Sequence, residues 1–204
     1  MIITKIEEKE KFKFRVSIDG EFAFLLYNKD LENYRLTDQM SLSQELYDTI
    51  IEKVVYPRAT EKALSILKYM DRCEHELRMK LSKAEYTEEV IDHVIQYVKH
   101  YGYLDDERYA TAYIKSRMNR KSKLMISSEL QQKGVAKSLI QQVFEVEYRE
   151  VEDEDGEDAE SIAIRKAISK KTKNSESLSA EEKQKIIASL YRKGFDLSKI
   201  KQNL

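Results

Sequence analysis

The chain has 204 residues, 36% of them charged, with only five glycines and one proline. This composition suits long solvated helices and leaves room for one large or two small domains. Lys plus Arg (36) nearly balances Asp plus Glu (37), so overall charge points neither to nor away from nucleic acid, and only local clustering can. The single cysteine, Cys73, excludes an internal disulfide and a cysteine-based metal site and fits a reducing cytoplasm. The longest apolar run, Phe22 to Tyr27, is far too short to span a bilayer, and the charged N-terminus does not read as a signal peptide.

In chain order, Phe12, Phe14, Val16 and Ile18 alternate with Lys13, Arg15 and Ser17, and Asp19-Gly20 is a type I′ turn signal leading into a second strand from Glu21. Ile2, Ile3 and Ile6 supply a third strand. Helices are expected over Leu31 to Leu36 and Ser43 to Tyr56, the second burying Leu46, Ile50, Ile51, Val54 and Val55. Residues 1–56 therefore read as a small sheet-plus-helix module. Pro57 marks its expected boundary, because proline restricts the residue before it and suits the first turn of a new helix.

From there the pattern is helical and repetitive. Leu77, Leu81 and Ile91 are separated by four and ten residues; the same intervals relate Ile126, Leu130 and Ile140, and again Ile186, Leu190 and Ile200. A turn falls between the last two members each time, at Ala84-Glu85-Tyr86, Lys133-Gly134-Val135 and Lys193-Gly194-Phe195. Gly102 is placed to end one helix in the left-handed conformation, and Asp105 followed by Asp106 and Glu107 to cap the next. Ser179 with Glu182 is a capping box. The fold class that follows is mainly α: three tandem three-helix repeats forming a curved, solenoid-like array behind a small N-terminal strand-helix module. The expected divisions are 1–56, a first repeat at 57–103, a second at 104–148, an acidic linker at 149–160 and a third repeat at 161–204. The linker is read from the run Glu150, Glu152, Asp153, Glu154, Asp155, Glu157 and Asp158, while the third repeat's first helix is expected to begin near Glu157.

Chemistry is sparse. There is no glycine-rich phosphate loop, and His75, His93 and His100 lack metal-ligand spacing and read as solvated surface. Asp105, Asp106 and Glu107 read as helix-capping carboxylates, Cys73 as a packed thiol. No catalytic residue, cofactor site or metal site is expected. The basic clusters say more. Arg117, Arg120, Lys121 and Lys123 crowd one interhelical link; Arg165, Lys166, Lys170, Lys171 and Lys173 run through the matching part of the third repeat; and Arg192 and Lys193 end its middle helix. Recurrence at corresponding positions would align them as a stripe able to follow phosphates or an acidic protein surface. Groove reading by a helix-turn-helix is disfavoured, because the candidate recognition helices begin Thr87-Glu88-Glu89 and Asp196-Leu197-Ser198, which phosphates would repel.

Glu76-Leu77 with Leu81, then Gly102-Tyr103-Leu104-Asp105-Asp106-Glu107-Arg108-Tyr109-Ala110, then Glu129-Leu130 with Lys133-Gly134-Val135 and Leu139-Ile140, resemble the signature of the bacterial RecX regulatory proteins over residues 57–204. Cys73, Met70 and Ser122 depart from the usual serine, basic residue and glycine. The resemblance implies a non-enzymatic protein whose three-helix repeats bind the RecA recombinase filament on single-stranded DNA and modulate it, usually by inhibiting ATP hydrolysis and strand exchange; a cytoplasmic monomer is expected. DNA contact would be weak or made through the filament. Three readings stay open on the residues themselves: this one, a stand-alone nucleic-acid-binding protein that coats DNA, and a scaffold for another protein.

Overall fold

The structure is a computed structural model that describes residues 1–149, 158–172 and 178–204. Its chain divides into two compact units, Met1–Leu104 and Asp105–Leu204.

In the first unit, β1 (Ile3–Glu10), β2 (Lys13–Ile18) and β3 (Glu21–Tyr27) form an antiparallel meander. Asp19 and Gly20 both adopt positive φ, 51° and 91°, as a type I′ turn requires. The turn sets the register, pairing Ile18 with Glu21 and Phe14 with Leu26. Val16, Ile18, Phe24 and Leu26 are thereby turned into the core. The β1 edge is covered by the chain after α1 (Asn28–Tyr34): the Ile3 N–H donates to the Met40 carbonyl at 2.9 Å, and the Gln39 N–H to the Ile3 carbonyl at 2.8 Å.

Ser43 caps α2 (Gln44–Ile50) through its hydroxyl, which accepts from the Leu46 N–H. Pro57 stands in the first turn of a new helix, as expected, but the chain stays helical on the way into it. A π-helical turn, Ile51–Val55, joins α2 to α3 (Tyr56–Tyr69), and the Tyr56 N–H reaches back to the Ile51 carbonyl. The wider turn gives room for a proline ring that would otherwise press on the carbonyl four residues earlier, so Pro57 changes the helix register without ending the helix. Ile50, Ile51, Val54 and Val55 then share one core with sheet residues and with Leu77, Leu81, Ile91 and Val94 from α4 (Glu74–Lys83) and α5 (Glu88–His100).

The second unit holds α6 (Asp106–Arg117), α7 (Lys123–Gln132) and α8 (Lys137–Arg149), followed by α9 (Ala159–Ser169), α10 (Ala180–Arg192) and α11 (Leu197–Gln202). All nine recurring positions, from Leu77 to Ile200, are buried. The turns are equivalent in detail. The carbonyls of Leu81, Leu130 and Leu190 accept from the N–H groups of Tyr86, Val135 and Phe195, at 3.2, 3.1 and 3.3 Å. The residue before each donor is left-handed: Glu85 at φ 62°, Gly134 at 86° and Gly194 at 78°. This is the bond pattern of a helix closed by a left-handed residue. In the first repeat a glutamate occupies the position that suits glycine, and it is held by ion pairs from the sheet, to Lys9 and to Arg15 at 3.6 Å. Asp105 caps α6, and the Ser179–Glu182 capping box opens α10.

The third repeat's first helix begins close to the expected Glu157. Asp158 is its N-cap, accepting from the N–H groups of Glu160 and Ser161, so the last three residues of the expected linker, 158–160, are helix cap and first turn. Lys199 of α11 pairs with Asp158 at 2.9 Å and with the buried Glu160 at 3.3 Å. Residues 150–157 of the expected linker, and Lys173, lie outside the described residues.

Candidate functional site

The basic link of the second repeat is organised by Glu129. Tyr113 and Arg117 are one helical turn apart on α6, which stacks the guanidinium over the phenol ring, 3.6 Å from its centroid. The Tyr113 hydroxyl donates to Glu129 Oε2 at 2.9 Å, Arg117 Nε lies 3.8 Å from the same oxygen, and Lys121 pairs with the other carboxylate oxygen. Burial alone would raise the Glu129 carboxyl; hydrogen bonds from Lys121 and Tyr113 and the nearby Arg117 outweigh it and hold it below its ordinary value. Burial, then the hydrogen bond to Glu129, push the Tyr113 phenol up. Glu129 and Tyr113 are not among the sequence candidates. Their signal was the spacing of Tyr113 to Arg117 and of Glu129 to Lys133, one turn each.

The four residues of this link are thus unequal. Arg117 and Lys121 are partly neutralised by Glu129. Arg120 is exposed, and Lys123 holds its ammonium 3.9 Å from the Tyr148 ring centroid. In the third repeat Arg165, Lys166 and Lys170 are exposed on α9 and its end, with Lys166 and Lys170 one turn apart; Lys171 donates to the Ser189 hydroxyl on α10. One turn beyond Ser189 comes Arg192, whose Nε donates to the Ala188 carbonyl at 3.3 Å.

Ser122 connects these groups. Its hydroxyl accepts from the Met125 N–H as the N-cap of α7 and donates to the Lys193 carbonyl at 2.6 Å. A Cβ added to Gly194 would come within 3.0 Å of Leu124 Cδ2 and 3.1 Å of Ser122 Oγ, so the turn after α10 lies directly against the start of α7. The link that carries Arg120, Lys121 and Lys123 therefore meets the turn that follows Arg192 at Ser122 and Lys193, and Lys171 reaches α10 at Ser189. This convergence joins parts of all three basic clusters within one unit. Among the described residues no group of His, Cys, Asp and Glu has the arrangement of a metal site, and no helix is long and apolar enough to cross a membrane.

Three family models match in order: the RecX first three-helix domain over residues 59–97, the second over 105–143 and the third over 160–204. The regulatory protein RecX of Clostridium acetobutylicum is 37% identical over 145 residues, covering 68% of this chain and 65% of that protein. RecX of Finegoldia magna is 34% identical, covering 71% and 72%, and that of Caldanaerobacter subterraneus subsp. tengcongensis is 31% identical, covering 100% and 98%. Two crystal structures share the fold. One of a regulatory protein RecX has a TM-score of 0.64 at 23% identity and covers 99% of this chain and 98% of that one; one of RecX from Lactobacillus salivarius has 0.58 at 21%, covering 72% and 93%. With three domain models matched in sequence order and a relative aligned over 98% of its length, this chain belongs to the RecX family of regulatory proteins.

Proposed function

We propose that this protein binds the RecA recombinase filament on single-stranded DNA, in the cytoplasm and without catalysis of its own, and restrains the filament's ATP hydrolysis and strand exchange. In this reading the three repeats stack as a curved row whose inner face follows the filament. Arg120, Lys121, Lys123, Arg192 and Lys193 meet acidic recombinase surface or DNA phosphate, with Arg117, Lys171, Arg165, Lys166 and Lys170 extending the stripe. Bridging successive protomers would lock subunits in place or block their addition. The observation that carries the reading is the packing of the Lys193–Gly194 turn on Ser122 and Leu124, which joins two basic links far apart in sequence. Family membership supports the choice of partner.

The test is the paired reversal Arg120→Glu with Lys123→Glu. Arg120 is exposed and Lys123 lies over an aromatic face, so neither change removes a buried ion pair. Surface charge contacts contribute about 1 kcal/mol or less each but act together, so filament affinity should fall by roughly ten-fold. Unchanged binding by a folded variant would remove the basic stripe from the account.

A further inference from the structure

A second surface, wholly within the first unit, has the opposite character. Between α3 and α5 runs an open groove of about 640 Å³ with Glu52 and Glu61 on its rim and no lysine or arginine in its lining. Its wall is aromatic. Tyr56 and His93 stack face to face, ring centroids 3.6 Å apart and planes within 1°. Tyr97, one turn beyond His93, lines the same groove, is 38% exposed, and its ring approaches that of the more exposed Tyr101 at 4.6 Å. Glu89, one turn before His93, is not in the groove lining but lies near Tyr56: burial, then the charges of Glu89 and Glu52, push the Tyr56 phenol up.

The rim differs from most of the other carboxylates of this repeat. Glu74 pairs with Arg78 and Lys99, Asp92 with Arg78 and Glu76 with Arg72. Glu52, Glu61 and Glu89 make no ion pair among the described residues. Two lining carboxylates without an ion-pair partner, Glu52 and Glu61, beside a flat aromatic wall suit a planar cation, which can stack on a ring face while its N–H groups reach a carboxylate; an arginine guanidinium does both, and a compact, strongly hydrated ammonium does so less well. The same rim repels phosphate.

We propose that the α3–α5 groove is a docking site for an arginine side chain presented by a partner protein, held between the Tyr56, His93 and Tyr97 rings and the Glu52 and Glu61 carboxylates, with the Glu89 charge nearby. The inference rests on the recombinase reading only for the identity of that partner. The protein then has two faces of opposite chemistry: a basic one on the second unit and this acidic, aromatic one on the first.

The experiment uses the full chain, isotope-labelled for amide NMR, titrated with the blocked peptide Gly-Arg-Gly-Arg-Gly and with its lysine and glutamate counterparts. Saturable shifts confined to the Tyr56, His93 and Tyr97 region, larger for arginine than for lysine, absent for glutamate and lost in the folded variant Glu52→Gln/Glu61→Gln/Glu89→Gln, are expected. Shifts scattered over the surface, or retained in that variant, would overturn the site. In a filament-binding assay the same variant should lose about ten-fold in affinity. If the wild-type chain does not bind the filament, the recombinase reading falls while the peptide titration still decides the site. Self-association of the wild-type chain in sedimentation, lost in the variant, would assign the groove to a second copy of this chain and overturn the partner-protein assignment.

Discussion

The ion pair between Asp30 and Arg58 should be asymmetric when broken. Asp30 is almost fully buried, 8% of its side chain exposed, and accepts from Arg58 Nη1 at 2.6 Å, Nη2 at 2.9 Å and the Tyr27 N–H at 2.7 Å. Arg58 keeps 36% of its side chain in solvent and lies 4.8 Å from the Tyr27 ring centroid. Changing Arg58 to Met leaves a buried carboxylate with one remaining donor. Breaking a buried pair this way costs about 3–5 kcal/mol, and partial solvent access places this case near 3. Changing Asp30 to Asn keeps an acceptor for the Tyr27 N–H and leaves a cation that water can reach, so about 1–2 kcal/mol is expected. The double variant should recover roughly 1 kcal/mol relative to additivity. Hydrogen exchange of peptides spanning β3 and α1 reads the opening free energy locally, which matters in a chain of two units. If Arg58→Met costs no more than Asp30→Asn, or if the double variant is additive, the pair does not hold this corner together. The same assay has a pH signature. Burial would raise the Asp30 carboxyl, but Arg58 and the Tyr27 N–H outweigh it and lower the folded-state value. The stabilisation is therefore complete above the unfolded carboxylate's pKa of about 3.9 and is lost as pH falls through the lower folded value, so wild type and Asp30→Asn should converge in strong acid.

Other expectations concern the repeat turns. Gly194→Ala combines φ of +78° with Cβ contacts of 3.0–3.1 Å to Leu124 and Ser122, whereas Gly102→Ala, at φ +69°, meets nothing within 4 Å. Thermal unfolding should show about 1 kcal/mol lost for Gly102→Ala and at least about 1 more for Gly194→Ala; equal losses would refute the close packing of the Lys193–Gly194 turn on α7. Glu85→Gly relieves about 1 kcal/mol of left-handed strain but removes the Lys9 and Arg15 pairs, and should be near neutral, while Glu85→Ala keeps the strain and should cost about 1 kcal/mol in the same measurement.

Much of this fold was legible from spacing. The interval of four and ten residues located nine buried positions, and Asp19-Gly20, Gly102, Asp105 and Ser179 each did what their local backbone chemistry demands. Long-range packing was harder to read. Pro57 starts α3 without a break from α2 because a π turn, which no local propensity signals, makes room for its ring. His93 is exposed as expected, yet stacked on Tyr56, a contact between α3 and α5 that depends on how those helices cross. The basic residues were visible as clusters. Their grouping around Ser122 and Lys193, and the hold of Glu129 on Arg117 and Lys121, required residues far apart in sequence to meet.

The central claim is that the protein acts on the recombinase filament itself. RecA ATPase on single-stranded DNA, followed as this protein is titrated in, with binding to the naked DNA measured in the same buffer, tests it most directly. Inhibition is expected at concentrations where naked DNA remains unbound. If ATPase falls only as the DNA becomes coated, with affinity dropping nearly one log unit per log unit of salt for each neutralised phosphate, competition for DNA explains the effect and direct filament recognition is contradicted.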